Sequence, residues 1–472
     1  MIKELILRFQ ETDAERTAFS LYDGERVTDM TYRQFAEDVL KAAGYYAANQ
    51  IRGRHIALIA PNSYEWVVAL FAVIASGNVA VPLNAMLPPE MLKQQCVQAD
   101  VTLVCGEVPE ELQSALPSGL KTVPFHEMNR ERSLKPEEIY IPEADEILIL
   151  MCTSGTTGTS KVVAFSAENL RNSFDNLKET HARAGMERVF LSLPLFHIAG
   201  FGCVFQVFLN GHTVCMGRGV KYLFMDMPAL NPTNISLVPL VLESIIKVYK
   251  QTKLPEQRIR YFGSSLQRIS VGGASLKPQT ISYMRAQGIV IDALYGMTET
   301  AGDGLRCVLD DKHVGTIGYT SGNMQCCIKD GEIMLKSPSV MKGYYKDPEE
   351  TARVIEDGWI HTGDMGYCDE DGYYYITGRK KNVIILSNGE NVNPEEIEAK
   401  WIANECIIEC LVYSDGKGIC ADVYTEDPDL AATFVKEYNE NVPLYHQVYK
   451  VHYQQTPLEK TSTGKIKRKV NT

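Results

Sequence analysis

Amphipathic stretches and short apolar runs take turns through the first third of this chain, and that alternation narrows the fold more than any other feature. Thr31-Tyr-Arg-Gln34 is a capping box that opens a helix with the apolar face Phe35, Val39, Ala43 and Tyr46. The run His55-Ile-Ala-Leu-Ile-Ala60 reads as a strand, and a helix begins near Ser63. Val79-Ala-Val-Pro-Leu83 is the next strand, a helix follows Pro88-Pro89, and Val101-Thr-Leu-Val-Cys105 closes the series. Strands separated by helices return parallel to one another with the helices covering the sheet faces, so the fold class is α/β.

The same texture continues around a stretch of different character. The apolar run Glu146-Ile-Leu-Ile-Leu-Met-Cys152 predicts a buried strand, and Val162-Val-Ala-Phe165 a second one before a helix opened by Ser166. Between them lie Thr153, Ser154, Gly155, Thr156, Thr157, Gly158 and, closing the loop, Lys161. The glycines let the backbone curl so that several N–H groups point inward, and the hydroxyls add donors, which suits a polyphosphate. Composition alone leaves a second reading open, a solvated hairpin rich in turn formers. The mononucleotide P-loop is excluded, because no Lys-Ser or Lys-Thr pair follows a glycine at the required spacing. Further strands follow at Val189–Leu193, Asn234–Val238, Ile269–Val271 and Val290–Leu294. Three of them end in loops rich in Gly, His, Thr and Glu: Pro194-Leu-Phe-His197, Gly272-Gly-Ala-Ser-Leu276 and Tyr295-Gly-Met-Thr-Glu299. Ligands of open α/β sheets sit just past the carboxyl ends of strands, so these loops mark one cleft.

Beyond residue 305 the pattern changes to short β segments, Gly331–Leu335, Asp357–Ile360 and Tyr373–Ile376, expected to form a small β-barrel-like part. The residues after 379 read as a small α+β domain. Asn393 caps a helix bearing Ile397 and Trp401, strands lie at Ile407–Val412 and Ile419–Val423, and a helix near Leu430–Tyr438 precedes a strand at Val448–His452. The boundary falls at Gly378-Arg-Lys-Lys-Asn382, dividing the chain into 1–378 and 379–472. A length of 472 residues also exceeds what one core supports. The net charge of -12 argues against nucleic acid or an anionic membrane as a general partner. The longest apolar stretch, Trp66 to Leu83, is interrupted by Ser76, Gly77 and Asn78, and fits a core helix, a turn and a strand instead of a membrane span. The start of the chain lacks the apolar core of a secretory signal, and twelve cysteines with neither CxxC nor His/Cys ligand spacing read as reduced core residues. Both observations lead to the expectation of a cytoplasmic protein.

Eight motifs in order resemble the adenylate-forming superfamily of acyl- and aryl-CoA ligases, adenylation enzymes and luciferases, over nearly the whole chain. They are Thr153-Ser-Gly-Thr-Thr-Gly158 with Lys161, Pro194-Leu-Phe-His197, Gly272-Gly-Ala-Ser-Leu276, Tyr295-Gly-Met-Thr-Glu299, His361-Thr-Gly-Asp364, Gly378-Arg379, Ser387-Asn-Gly-Glu-Asn-Val392 and Thr463-Gly-Lys465. The segments Ser387–Glu396 and Leu458–Arg468 look most like acyl-CoA ligase members. The resemblance implies ATP, Mg2+ and coenzyme A as cofactors and a small carboxylic acid as substrate. Joining a carboxylate to the α-phosphate of ATP brings two anions together, which repel until their charge is neutralised. In that chemistry the loop from Thr153 to Lys161 holds the β- and γ-phosphates, Thr298 donates to the α-phosphate, and Glu299 holds Mg2+. Asp364 meets the ribose hydroxyls and Arg379 the same sugar. Gly272, Gly273 and Ala274 let the adenine and acyl group lie against backbone, and Tyr295, Gly296 and Met297 line the same site. Lys465 bridges substrate carboxylate and phosphate in the transition state, so the catalytic lysine is Lys465 and not Lys161.

Read from residue types alone, Glu299 and Asp364 are turn residues before they are ligands, His197 is a satisfied core histidine or a residue gating the acyl pocket, and Lys465 is a solvated charge. The family rotates its C-terminal domain between two half-reactions. Lys381 matches the hinge position, and the segment around Gly389 approaches the cleft in the second pose. One departure concerns the exit of the phosphate loop, where Thr159-Ser160-Lys161-Val162 replaces the usual x-Pro-Lys-Gly. His197 stands where amino-acid-activating members place an aspartate for the substrate ammonium, so an acid without an α-amine is expected. With no carrier domain after Lys465, the thiol acceptor is free CoA or a carrier protein supplied in trans. Three functions follow in order: an acid–CoA ligase, a stand-alone adenylation enzyme loading a carrier protein, and a non-catalytic nucleotide-binding relative.

Overall fold

The computed structural model describes the chain except residues 110–112, 114–115, 129–131, 154–159, 182–186, 274–275, 277, 387–389, 461–465 and 469–472. Its contacts divide into two units. The larger comprises Met1–Val314, Gly318–Gln325 and Lys336–Ile360, and the smaller Gly315–Ile317, Cys326–Leu335 and His361–Thr472.

The larger unit is built on two sheets. One has eight strands in the order Gly304–Val308, Val290–Gly296, Arg268–Gly272, Asn234–Leu237, Arg188–Leu191, Thr213–Met216, Thr17–Tyr22 and Val27–Thr31. Its inner neighbours pair in parallel and its two edge strands antiparallel. The other has seven strands in the order Gly343–Tyr344, Val162–Ser166, Ile147–Cys152, Val79–Pro82, His55–Leu58, Leu103–Cys105 and Lys121–Val123. Here Val162–Ser166 is antiparallel to both its neighbours and the remaining pairings are parallel. The parallel sheets match the α/β class read from the alternation of elements.

Local signals place the helices between these strands. Thr31 and Gln34 close the capping box of the Tyr32–Ala48 helix, and Phe35, Val39, Ala43 and Tyr46 are all buried. Ser63 caps Tyr64–Ala75, in which every residue but Glu65 is buried, so this helix is apolar all round and central. Its Phe71 stacks on Phe205 of the Ile198–Leu209 helix at 4.9 Å, and Phe205 stacks on Phe174 at 4.5 Å. An aromatic layer thus joins helices that belong to the two sheets. The Thr17–Tyr22 and Val27–Thr31 hairpin lies outside the helix–strand alternation read from the sequence. Its signal was Asp23-Gly24, where the Asp23 carboxylate accepts the N–H groups of Glu25 and Arg26 and turns the chain.

The smaller unit contains five strands of a six-stranded sheet, Thr316–Gly318, Tyr374–Arg379, Trp359–Cys368, Glu332–Lys336 and Gln325–Lys329. It also holds a three-stranded sheet, Glu409–Ser414, Ile419–Tyr424 and Val448–Gln454, with helices Pro394–Ile402 and Pro428–Glu440. Ile397, Trp401, Val412, Ala421, Val435 and Val448 form its core. Asn393 stands at the N-cap of the first helix as expected, but its amide donates to Glu396 and its side chain makes no capping bond. Among the described residues no helix is long and apolar enough to cross a membrane. All twelve cysteines are free.

Candidate active site

Parallel register brings the strand-end loops of the eight-stranded sheet to one edge. Ser236 lies beside Leu191, Leu237 beside Val271, and Gly272 beside Leu294, so residues 192–197, 272–273 and 295–299 all leave the same side. His197 is the N-cap of Ile198–Leu209. Its Nδ1 accepts the Ala199 N–H at 3.2 Å, which puts the proton of a neutral ring on Nε2. Gly273 adopts φ +88° with open space where a side chain would stand, whereas Ala274 lies outside the described residues. Tyr295 and Gly296 continue the Val290–Gly296 strand against Gly304–Val308. A Cβ on Gly304 would sit 2.1 Å from the Tyr295 carbonyl, so only glycine allows this closeness.

Thr298 and Glu299 occupy a tight 3-10 turn after Met297, and several anchors hold that turn. Thr300 Oγ1 donates to the Asp303 carbonyl at 2.5 Å, Ser173 donates to the Ala301 carbonyl at 3.0 Å, and the Met341 N–H donates to the Glu299 carbonyl at 2.7 Å. Beneath it, buried Asp303 accepts from Asn176, Ser339, Arg306 and the Gly304 N–H. Burial raises the Asp303 pKa against those donors.

The loop that opens at Thr153 has a closed neck. Cys152 pairs with Val162, the Thr153 N–H donates to the Lys161 carbonyl at 2.8 Å, and Ser160 Oγ donates to the Thr153 carbonyl at 2.7 Å. Ser154, Gly155, Thr156, Thr157 and Gly158 lie outside the described residues. The replaced Pro-Lys-Gly exit therefore runs straight into strand, with Ser160 serving as the latch. Lys161 Nζ pairs with Glu350 at 2.5 Å and lies 4.7 Å from the ring centre of Tyr344. The Lys161 hydrogen bond holds the Glu350 carboxyl below its usual range. Tyr344 is buried, pairs with Val163, and donates its hydroxyl to Glu299 Oε1 at 2.9 Å. Burial and then Glu299 push the phenol well above its ordinary pKa. Among the described residues, Glu299 has no basic partner and its Oε2 receives no hydrogen bond. Such a donor set fits a hard divalent cation, which takes carboxylate oxygens.

In the smaller unit Asp364 and Arg379 face each other across antiparallel strands, with Arg379 Nε 2.7 Å from Asp364 Oδ1 and the guanidinium donating to the Thr362 carbonyl at 3.1 Å. Buried Glu332 holds this region together. It accepts from Lys380 at 2.8 Å, from His361 Nδ1 at 3.0 Å and from the Gly363 N–H at 2.9 Å. Burial works against the Glu332 carboxylate, and these donors outweigh it, lowering its pKa. Lys381 is exposed in the 3-10 turn Lys380–Asn382. Gly389 and Lys465 lie outside the described residues, but the flanks of Lys465 are tied down. Lys460 bridges to Ile466, Leu458 and Lys460 both bond Glu409, and Arg468 pairs with Glu398 at 2.6 Å and Glu395 at 3.1 Å.

Four residues of this arrangement escaped the sequence reading: Tyr344, Glu350, Asp303 and Glu332. Glu332 alone had a local signal, an acid within the apolar segment Gly331–Leu335 where a strand would bury it.

Residues 8–345 match the family of AMP-binding enzymes. Feruloyl-CoA synthase of an Amycolatopsis species is 32% identical, the match covering 82% of this chain and 80% of that one. The 2-succinylbenzoate–CoA ligase of Oceanobacillus iheyensis is 28% identical over 84% and 82% of the two chains. Among solved structures, o-succinylbenzoate CoA synthetase of Bacillus subtilis with its acyl-adenylate intermediate superimposes with a TM-score of 0.85 at 25% identity, over 98% of this chain and 96% of that one. The same enzyme with ATP and a magnesium ion gives 0.83, also at 25% identity, over 98% of each chain. The chain belongs to the AMP-binding enzyme family, and it is an AMP-forming acid–thiol ligase that uses ATP, Mg2+ and CoA to turn a carboxylic acid into an acyl-adenylate and then an acyl-CoA.

Proposed function

We propose a division of labour in which residues 1–378 hold the phosphates, the cation and the acid, while residues 379–472 bring the catalytic Lys465 and pivot at Lys381. The observation that carries this reading is the link from Lys161 through Tyr344 to Glu299, which joins the neck of the Ser/Thr/Gly loop to the strand-end turn. Backbone and hydroxyl donors from Thr153 to Gly158 hold the departing pyrophosphate, and Thr298 donates to the α-phosphate. Glu299 and the phosphates hold the cation, and Mg2+ there supplies positive charge that lets one anion approach another. Asp364 accepts from the ribose hydroxyls, and Arg379, which holds Asp364 Oδ1 at 2.7 Å, contacts the same sugar. Lys465 bridges the carboxylate oxygen that forms the new bond to phosphorus and the α-phosphate, while pyrophosphate leaves. Gly389 belongs to the segment that lines the cleft when the thiol sulfur attacks the acyl carbon and AMP leaves.

His197 offers an N–H and no negative charge, which supports an acid without an α-ammonium group. The thiol is that of CoA in preference to a carrier protein, in line with the CoA ligases among the relatives. Twelve free cysteines fit a reducing compartment, the cytoplasm. The test supplies ATP with a panel of aryl, fatty, dicarboxylic and α-amino acids, and either CoA or a phosphopantetheine-bearing carrier protein. Thioester is expected with CoA and with acids other than α-amino acids. Efficient loading of the carrier protein, or preference for an amino acid, would overturn the reading.

A further inference from the structure

Tyr344 belongs to none of the motifs that bind nucleotide, yet it touches both sides of the phosphate-and-cation corner. It sits on a strand of only two residues, Gly343–Tyr344, whose antiparallel pairing with Val163 and Ala164 anchors it beside the exit of the Ser/Thr/Gly loop. The Tyr344 N–H donates to Thr351 Oγ1 at 2.9 Å, which fixes the backbone from the other side. From there the ring supports the Lys161 ammonium at 4.7 Å and the hydroxyl reaches Glu299 Oε1 at 2.9 Å.

The chemistry of that contact is selective. A glutamate that receives a hard cation must be both held in place and left negative. An arginine or lysine donor would hold it and cancel its charge, whereas a neutral phenol holds it and leaves the charge. Lys161, the nearest ammonium in this chain of contacts, is instead engaged by Glu350 at 2.5 Å. The arrangement keeps a cation close to the phosphate loop while a neutral donor faces the metal-binding acid.

We propose that Tyr344 is a positioning residue for adenylation: its hydroxyl fixes one oxygen of Glu299 and leaves the other for the divalent cation that accompanies ATP. The proposal rests on Glu299 being the cation ligand, as read above. Tyr344→Phe removes one oxygen and retains the ring, the strand pairing and the Lys161 contact.

The test compares wild type, Tyr344→Phe, Glu299→Gln and the double variant. ATP affinity is measured by calorimetry with Mg2+ and again with the metal chelated, and the Mg2+ dependence of pyrophosphate exchange is measured alongside. Loss of a hydrogen bond to a charged group predicts about a tenfold weaker affinity for ATP with Mg2+ in Tyr344→Phe. Affinity for metal-free ATP, and thioester formation from supplied acyl-adenylate, should stay within about twofold, since an effect of about 0.4 kcal/mol is what a remote change leaves. In the double variant the loss should equal that of Glu299→Gln alone, because the hydroxyl acts through that carboxylate. Equal weakening of ATP with and without Mg2+, or losses that multiply in the double variant, would overturn the role of Tyr344. If Glu299→Gln itself leaves the Mg2+ dependence unchanged, the reading of Glu299 fails and the proposal with it. If Glu299→Gln shifts that dependence and Tyr344→Phe does not, only the positioning role fails.

Discussion

Glu299 in the larger unit and Asp364 in the smaller one are both acids in polar turns or strands, yet their surroundings prepare them for opposite partners. Glu299 takes its hydrogen bond from a neutral phenol and has no basic partner among the described residues. Asp364 is paired with the Arg379 guanidinium at 2.7 Å, and nearby Glu332 is likewise matched by Lys380 at 2.8 Å. An acid that must hold a divalent cation has to keep its charge available, because a neighbouring guanidinium would compete with the metal. An acid that accepts from neutral hydroxyls needs orientation more than free charge, and a basic partner supplies orientation. The two carboxylates thus differ in their partners more than in type, the difference expected if Glu299 is a metal ligand and Asp364 a sugar ligand, as proposed.

The largest expected effect concerns Lys465, the proposed catalytic lysine. Lys465→Ala should lower the rate of acyl-adenylate formation by about a thousandfold, the scale of losing one donor to developing charge. Thioester formation from supplied acyl-adenylate should survive, and equal loss of both half-reactions would break the assignment of the lysine to the first alone. Asp364→Ala should raise the KM for ATP by about ten- to a hundredfold through lost charge-assisted bonds. Its Mg2+ requirement should not move, and a shift like that of a Glu299 variant would erase the contrast between the acids.

Glu332→Gln should have the smallest effect, a loss of about 1–3 kcal/mol in stability at neutral pH, read from denaturant unfolding. Because the folded Glu332 pKa is lowered from its ordinary 4.5, this stabilisation is present above that value and disappears as pH falls through the folded one. The unfolding curves of variant and wild type should therefore converge in acid. A gap that stays constant with pH would show that the carboxylate charge is not what holds His361, Gly363 and Lys380.

Much of the architecture was legible because its causes are local. The Thr31–Gln34 capping box and the Ser63 cap act within a few residues, and each stands where the sequence placed it. The strand-end loops at His197, Gly272 and Tyr295 were legible for a related reason. Buried parallel strands are short apolar runs, and the polar residues that follow them mark where the sheet edge lies. The Thr17–Tyr22 hairpin escaped because it interrupts the helix–strand rhythm with a turn of only a few residues. Its strand pattern became meaningful only when Phe19 packed against Phe35 and Phe208.

By itself the sequence determined the layered α/β class, the set of strand ends that meet along one edge, and the residue types able to meet phosphate, sugar and cation. Those follow from periodicity, caps and glycine, all of which act over short separations. Only the tertiary structure decided which acid faces a phenol and which a guanidinium. Tyr344 and Glu299 are 45 residues apart and Lys161 and Glu350 are 189 apart, and no periodic signal connects either pair. They meet because a two-residue strand adds to the edge of one sheet while its side chain reaches the strand-end turn of the other. Hydrogen bonds and ion pairs depend on position to a fraction of an ångström, and such positions are set by how the two sheets pack.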